Sequence, residues 1–385
     1  MKNRTIYTLL ILYVLFFCSA GSLYPQNTDT KDSSKSRANF FKPEVYPWGR
    51  IKFMMIESNN NIGITDAGSR LGVKVNQNLN NDITLFGGIE LSMFITSGGD
   101  FRVSPDNSSN TGYINIVNVP NSGVFGLRKG YVGADFKKYG RVSIGKQYGA
   151  YYEVAGVTDI SENNSGYASY VYSPDGSDGG STGTGRASNS ILYKNTIYNF
   201  DVAVSGQFKL SEKEFSKVIN SFGASLIYKF PFNINAGIAC NEVFLSPDLE
   251  SHLRGLKSNP LYSSIGINYS TEKLFFGVTY AYQESGDLEQ VKDSTVMYSG
   301  YGIEIAAIWK PFNRWSILGG VNYKQPQNVD ELINKGFKRL VYFYGLQFQP
   351  FVNLTFYLEG AYDRSVTSTG DGIPSNISSG VKFVF

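Results

Sequence analysis

The chain has 385 residues, with 35 lysines and arginines, 32 acidic residues and a single histidine. This near balance of charge excludes the strong basic excess of a nucleic-acid-binding protein, and the shortage of histidine argues against metal sites and acid–base catalysis. Glycine contributes 41 residues and tyrosine and phenylalanine 27 each, a composition that favours many strands and loops.

The first twenty residues have the pattern of a secretory signal peptide. Lys2 and Arg4 precede an apolar run at residues 6–17, and small residues at 19–20 offer a cleavage site. A lipoprotein anchored through Cys18 is the alternative, disfavoured because two phenylalanines stand where small residues should precede a lipidated cysteine. The mature protein is therefore expected to be exported.

Residues 21–45 are polar and rich in serine, aspartate and lysine, so they are predicted to form a flexible leader before a single domain at 46–385. After the signal peptide only Cys240 remains, and no intrachain disulfide is expected. No apolar run near twenty residues follows the signal peptide, so no transmembrane helix is expected. A transmembrane β-barrel stays open, since its strands give only short alternating segments.

From residue 46 onward apolar and polar residues alternate with the period of two that is typical of strands. In one segment Phe200, Val202 and Val204 oppose Asp201 and Ser205, so one face is apolar and the other polar. The sequence predicts sixteen strands, at residues 47–57, 67–78, 83–96, 124–137, 140–152, 186–196, 199–210, 217–229, 233–243, 259–270, 273–285, 296–310, 313–324, 338–348, 353–364 and 375–385.

The predicted connections alternate strictly between short and long. This asymmetry is typical of an outer-membrane barrel with short periplasmic turns and long external loops. In a soluble sandwich or propeller, short and long connections are not expected to alternate along the chain. The long connections are predicted at 58–66, 97–123, 153–185, 211–216, 244–258, 286–295, 325–337 and 365–374.

Sixteen strands close into a cylinder wide enough for an aqueous channel, so the polar faces are expected to line a pore. Aromatic residues near the strand ends are expected to form girdles at the two membrane interfaces. These are Tyr148, Tyr151, Tyr152, Tyr280, Tyr282, Tyr342 and Tyr344.

The chain ends with ISSGVKFVF, in which Val381, Phe383 and Phe385 alternate with other residues. A final strand ending on Phe385 is predicted to close the barrel against the first strand. A terminal aromatic residue on such a strand resembles the signal that the outer-membrane barrel assembly machinery reads, and Phe383 and Phe385 are expected to serve as that signal.

Four segments carry a resemblance to a known family: WGRIKF, SRLGVKVNQNLNNDITLFGGIELSMF, LRKGYVGADFKKYGRVSIGKQYGAYYEVAGVTDI and GRASNSILYKN. With the terminal phenylalanine they resemble the trimeric general diffusion porins of the Gram-negative outer membrane. The resemblance implies a 16-stranded antiparallel transmembrane β-barrel whose third external loop folds inward. It also implies a water-filled channel for passive diffusion of small hydrophilic solutes and ions. Beyond residue 210 the prediction rests on periodicity alone.

In that family a row of basic residues on the barrel wall faces acidic residues on the inward-folded loop. The basic positions that match are Arg50, Arg70, Arg128 and Arg186, and the period of two adds Lys52 and Lys74. The matching acidic positions of the loop are Asp159 and Glu162, while Asn163 stands where the family tends to have another acidic residue. Glu90 is expected as an acidic residue of the lumen.

The resemblance further implies a homotrimer surrounded by outer-membrane lipid and lipopolysaccharide. Lys146 interrupts an apolar row, and a lysine facing hydrocarbon at the midplane costs about 2–4 kcal/mol. Lys146 and Lys129 are therefore expected to face outward at the subunit interface, with Asp100 and Asp106 as candidate partners on the second loop of a neighbouring subunit.

Two alternatives of other kinds remain: a substrate-specific channel and a surface receptor or adhesin. A barrel hydrolase is disfavoured, because the single His252 lies in a polar loop beside Glu250 and Ser251. The stretch DGSDGG at 175–180 lacks the ligand spacing and closing glutamate of a calcium loop. No catalytic residue, metal or cofactor is expected.

Overall fold

The computed structural model describes residues 42–385 except 94, 96–101, 104–113, 116–123, 162, 173–179, 181, 209–219, 246–253, 292–293 and 328. The predicted signal peptide and most of the predicted leader therefore lie outside the described residues. The first strand begins at Glu44, inside the stretch predicted to be leader.

The chain folds into strands connected in sequence order. They are β1 Glu44–Ser58, β2 Asn61–Asp66, β3 Ser69–Asn78, β4 Thr84–Met93, β5 Arg102–Val103, β6 Ile114–Asn115, β7 Phe125–Asp135, β8 Arg141–Tyr148, β9 Arg186–Ile197, β10 Phe200–Gln207, β11 Ser221–Phe230, β12 Ile234–Val243, β13 Leu261–Ser270, β14 Leu274–Val291, β15 Ser294–Trp309, β16 Trp315–Gln327, β17 Arg339–Phe351, β18 Leu354–Asp363 and β19 Asn376–Val384. One short α-helix, α1, spans Tyr152–Ala155, and 3-10 turns span Lys137–Tyr139 and Gly156–Thr158.

Seventeen of these strands form one closed antiparallel sheet, and β5 pairs only with β6. Strands β2 and β3 pair with successive halves of β1, so they are two parts of one wall strand interrupted at 67–68. The wall therefore has sixteen strands, and the predicted fold is confirmed. Strand β1 also pairs with β19, which closes the cylinder.

The hydrogen bonds that close the barrel between β1 and the C-terminal strand extend to Phe385. The N–H of Gly49 donates to the carbonyl of Phe385 at 2.8 Å, and the N–H of Phe385 donates to the carbonyl of Gly49 at 2.9 Å. A Cβ atom on Gly49 would lie 2.5 Å from the Phe385 ring, so a side chain at this position would displace the ring. The rings of Phe383 and Phe385 are stacked with 6.1 Å between their centroids.

The wall presents an apolar outer face, as the alternation of the sequence predicts. Ile89, Val132, Ile238 and Ile265 are each more than half exposed on this face. In a closed sheet every wall strand is hydrogen-bonded along both edges, so no backbone polar group of the wall is left exposed to lipid. The exposed apolar band around this sheet therefore suits a hydrocarbon environment. In the part of the chain that the structure describes, no helix is long and apolar enough to cross a membrane.

Three predicted connections differ from the structure. The first, predicted as a loop over 58–66, is a turn at Asn59 and Asn60 with φ of 51° and 63°, values that asparagine tolerates in tight hairpins. The sixth, predicted over 286–295, is largely strand, because β14 and β15 continue beyond the wall as a paired hairpin. The third, predicted over 153–185, begins earlier, because the strand predicted over 140–152 ends at Tyr148 and α1 follows within the connection.

The connection between β8 and β9 enters the barrel instead of extending outward. This segment, residues 149–185, is called the inner loop. Its Tyr151, Val154 and Ala155 pack against Ala239 and Tyr262 of the wall in a buried apolar cluster. The inward-folded third loop of the prediction is thus confirmed, and the buried core of the molecule lies between this loop and the wall.

Candidate channel constriction

Glycines in the wall let the inner loop approach the backbone of the strands. A Cβ atom on Gly302 of β15 would lie 1.8 Å from the carbonyl oxygen of Ala168, and one on Gly266 of β13 would lie 2.7 Å from the carbonyl oxygen of Val154. Separations below 3 Å exclude a side chain without movement of the loop or wall. Small residues at these positions therefore fix how closely the loop packs.

Glu304 of β15 anchors the inner loop. Its carboxylate accepts the backbone N–H groups of Ala168 at 2.5 Å and Ser169 at 2.9 Å, and it also accepts the hydroxyl of Thr158. Buried N–H groups without a partner are costly, so one carboxylate satisfies several groups of the loop at once. In the sequence Glu304 is only a polar residue on a lumen face, so sequence reasoning missed this anchor.

The loop is also held on the side of β16, β18 and β19. The hydroxyl of Ser161 donates to Glu359 at 2.7 Å, and the amide of Asn322 donates to the carbonyl of Asn164 at 3.1 Å. The amide of Asn163 donates to the hydroxyl of Ser378 at 3.2 Å. The loop is thus fixed across the lumen and not merely at its two ends.

Lys52 belongs to this anchoring set. It is fully buried, and its ammonium donates to the Asn163 side-chain oxygen at 3.3 Å and lies 4.9 Å above the Tyr357 ring. An amide oxygen at residue 163 accepts the ammonium without adding charge. The structure therefore places Lys52 beneath the loop, apart from the exposed basic groups of the lumen.

A basic cluster surrounds Glu90 on the opposite part of the wall. The Glu90 carboxylate lies 2.6 Å from the Lys129 ammonium, 2.9 Å from Arg128 Nε and 3.4 Å from Arg70 Nη1. Three cations on one carboxylate leave an excess of positive charge, and the shared carboxylate reduces their mutual repulsion.

The outward orientation predicted for Lys129 is wrong. A β-bulge lies between β4 and β7, where Glu90 pairs with Lys129 and the next residue, Leu91, pairs with Leu127. The extra residue, Arg128, lets two consecutive side chains point into the lumen. Lys129 therefore belongs to the basic cluster.

Arg50 and Arg186 complete the cluster. Both lie close enough to Arg70 to repel its charge. Arg50 Nε donates to the carbonyl of Gly68 at 2.9 Å, at the interruption between β2 and β3. The Arg186 guanidinium lies 6.0 Å from the Tyr148 ring centroid, at the start of β9. The basic cluster is defined here as Arg50, Arg70, Arg128, Lys129 and Arg186.

The structure does not bring Lys74 to this cluster. It follows Arg70 by four residues on β3, which corresponds to about 13 Å along the strand. Its side chain is exposed, and no ion pair involves it among the residues that the structure describes. It lies nearer the end of the barrel where β3 turns into β4.

Asp159 of the inner loop lies close enough to Arg186 to be affected by its positive charge. Its carboxylate accepts the hydroxyls of Tyr172 at 2.8 Å, Tyr152 at 3.1 Å and Ser165 at 3.1 Å. Burial raises the pKa of Asp159, while these hydroxyl donors and the positive charge of Arg186 act in the opposite direction. Asp159 forms no ion pair with any residue that the structure describes. The second predicted acid, Glu162, lies outside the described residues.

Tyrosine rings connect the basic cluster to Asp159. The rings of Tyr148 and Tyr152 stack with 4.0 Å between their centroids, and the Lys129 ammonium lies 5.6 Å from the Tyr148 centroid. These two rings and the buried Tyr151 were predicted to form part of a membrane girdle, which is wrong, because the chain turns inward after Tyr148. Tyr280, Tyr342 and Tyr344, in contrast, are exposed on the wall.

Lys146 lies on the outer side of the wall, as predicted. It pairs with Gly130, and its ammonium donates to the carbonyl of Leu127 at 3.2 Å. The nearby side chains of Leu127 and Ile144 are each 55% exposed on the same face. A second bulge follows Gly145 and separates this outward row from the inward Tyr148. A role of Lys146 at a subunit interface stays a prediction, and Asp100 and Asp106 lie outside the described residues.

Within the described ranges, no group of three or more histidine, cysteine or acidic side chains is arranged to hold a metal ion. Cys240 is exposed and is not part of a disulfide. The loop residues Glu250, Ser251 and His252 lie outside the described residues. The geometry therefore places the basic cluster on the barrel wall and the inner loop, with Asp159, inside the barrel.

The model of a Gram-negative porin family matches residues 55–368, which is most of the chain. The chain belongs to this Gram-negative porin family. Together with the closed barrel, the match makes the protein an outer-membrane porin that forms a channel. No curated protein matches the porin.

Solved structures share the fold of the porin at low identity. OmpF of Salmonella typhi, in complex with daunomycin, is 14% identical with a TM-score of 0.71, covering 90% of this chain and 99% of that chain. The anion-selective porin from Comamonas acidovorans is 12% identical with a TM-score of 0.62, covering 89% and 100%. OmpT of Vibrio cholerae in its trimer form is 15% identical with a TM-score of 0.61, covering 89% and 99%.

Proposed function

We propose that the porin admits small hydrophilic solutes and ions by passive diffusion through a charged constriction. The observation that carries the proposal is the inner loop fixed inside a polar lumen opposite the basic cluster. Charged groups around a narrow aqueous passage order water and disfavour large apolar solutes. The proposed role is transport without catalysis.

Solute uptake by liposomes containing the purified porin tests this proposal. We expect swelling rates with neutral sugars to fall steeply as the sugar becomes larger and to rise in proportion to concentration, because a water-filled passage sieves by size. Uptake that saturates for one solute would instead identify a substrate-specific channel. Liposomes that exclude every small sugar would contradict transport.

We propose that the porin assembles as a homotrimer. Two observations support this: OmpT of Vibrio cholerae has been solved in a trimer form, and Lys146 interrupts the apolar outer face beside Leu127 and Ile144. An ammonium on that face is better accommodated against another protein surface than against hydrocarbon.

The Lys146→Glu variant is expected to dissociate at a lower temperature than the wild-type oligomer while its conductance per channel stays the same. Charge reversal would oppose any acidic partner across the interface. Unboiled gel samples heated in steps measure the dissociation, with Lys310→Glu in the exposed turn after β15 as the matched control. Equal dissociation temperatures, or a changed conductance with an intact oligomer, would contradict the interface role.

We further propose that residues 1–20 direct export and that Phe383 and Phe385 are read by the barrel assembly machinery. The exposed rings of these two residues on the closing strand support the second point. Outer-membrane lipid and lipopolysaccharide are the proposed surroundings of the apolar outer face.

A further inference from the structure

We propose that the lumen holds a second solute site, a cavity beside α1 at the end of the barrel with the short connections, and that this cavity binds small organic carboxylates through Arg141. The inference rests on the proposed function, because a solute reaches the cavity through the lumen. The cavity is separate from the basic cluster. Arg141 begins β8 and Tyr148, which pairs with Arg186, ends it, so about 23 Å of strand lies between the two levels.

The cavity has a volume of about 360 Å³ and lies against the lumen faces of β8, β9, β10 and β11. An adjoining cavity of about 180 Å³ continues along α1 toward β12 and β13. The two share Glu153, Asp201, Ile227 and Lys229 in their walls. A space of this size is typical of sites for small molecules, and α1 of the inner loop closes it on one side.

Arg141 presents an exposed guanidinium to this cavity. The guanidinium carbon lies 4.2 Å from the centroid of the Phe86 ring, which supports it against the wall. In the part of the chain that the structure describes, Arg141 has no ion-pair partner. Asp135, which pairs with it across the sheet, accepts the backbone N–H of Lys137 at 2.8 Å. The guanidinium is therefore available to a carboxylate, which it binds through two parallel hydrogen bonds.

Two lysines of the cavity are held in place by ion pairs. The Lys194 ammonium pairs with the Glu153 carboxylate of α1, and the Lys229 ammonium lies 2.7 Å from Asp201 Oδ2. Lys194 is also the partner of Arg141 across β8 and β9, and the Cβ atoms of such a pair are about 5 Å apart. A carboxylate on Arg141 therefore has a second, positioned cation beside it.

The remaining lining suits the carbon skeleton of an organic acid. Ala203 and Ile227 add apolar surface in the larger cavity, and Val154 and Val157 of the inner loop add it in the adjoining one. The side-chain amide of Asn235 offers both a donor and an acceptor for a hydroxyl group of the solute. An inorganic anion would contact the cations alone, whereas an organic carboxylate also contacts this surface.

Isothermal titration calorimetry of the purified porin in detergent, with succinate and with its uncharged analogue succinamide, tests this inference. We expect saturable binding of succinate and none of succinamide. Arg141→Gln should weaken succinate binding by about tenfold or more, because the charged hydrogen bonds are lost. Two variants should bind as the wild type does: Arg314→Gln, in the exposed turn after β15 at the same end of the barrel, and Arg128→Gln, which removes a cation of the basic cluster.

A second variant, Phe86→Leu, removes the ring that supports the guanidinium and should weaken succinate binding in the same direction. Wild-type porin that binds succinate no better than succinamide, or unchanged binding in Arg141→Gln, would overturn the inference and leave the proposed channel standing. Loss of binding in Arg128→Gln but not in Arg141→Gln would assign the solute to the basic cluster and overturn the inference as well. Succinate binding that depends on Arg141 in a porin that carries no current would support the site and overturn the proposed function.

Discussion

Replacing Glu304 by alanine is expected to raise the single-channel conductance and the open-channel noise of the porin. The substitution removes the acceptor of two backbone N–H groups and one hydroxyl of the inner loop. Each buried donor left without a partner costs about 1–3 kcal/mol, so the loop is expected to leave its position against β15 for part of the time. Single-channel recording measures both quantities, with Glu272→Ala in the exposed turn before β14 as the control.

A second variant, Gly302→Ala, disturbs the same contact between the inner loop and β15 by adding a methyl group to the wall. In Gly302→Ala the new methyl group would lie 1.8 Å from the carbonyl oxygen of Ala168, and overpacking of this kind costs about 1–3 kcal/mol. Gly206→Ala is the matched control, because its nearest heavy atom lies 3.4 Å away. If both Glu304→Ala and Gly302→Ala conduct as the wild type does, the loop does not set the width of the passage.

The Arg128→Glu variant is expected to shift ion selectivity strongly toward cations. Arg128 is the bulged residue of the basic cluster, 2.9 Å from Glu90, and reversal of its charge would place two carboxylates beside Lys129. Because the proposed constriction lies at this level, a change of charge here is expected to act on every ion that crosses. The reversal potential in a salt gradient measures the shift.

Lys74→Glu provides the matched control for this charge reversal. It makes the same change of charge on the same wall, but at an exposed position about 13 Å along β3 from Arg70. We expect a small shift for Lys74→Glu and a large one for Arg128→Glu. Equal shifts would mean that the basic cluster does not form the selective part of the channel.

Period-two alternation was sufficient to predict the wall, because each strand has one face against lipid and the other against water. It failed where the period breaks. The bulge at Arg128 adds one residue to β7, which turns Lys129 from the outer face to the lumen, and a second bulge, whose extra residue lies on β9, shifts the pairing register next to Tyr148. A single inserted residue changes the parity of everything that follows it, and no local signal in these strands marks it.

The resemblance predicted basic residues at Arg50, Arg70, Arg128 and Arg186, and these side chains lie near one another in the structure; their role at the constriction stays a prediction. The contacts of the inner loop were not predicted. Glu304 is separated from Thr158 by 146 residues along the chain, and its role follows only from the way the loop folds back across the lumen. Such long-range contacts leave no periodic pattern in the sequence.

Single-channel recording of the purified wild-type porin over a range of potassium chloride concentrations tests the central claim, an open aqueous passage narrowed by the inner loop, most directly. The predicted result is a series of discrete, long-lived current steps whose size is proportional to voltage and rises almost in proportion to salt concentration. Bilayers that show no steps in the presence of correctly folded porin would contradict an open channel.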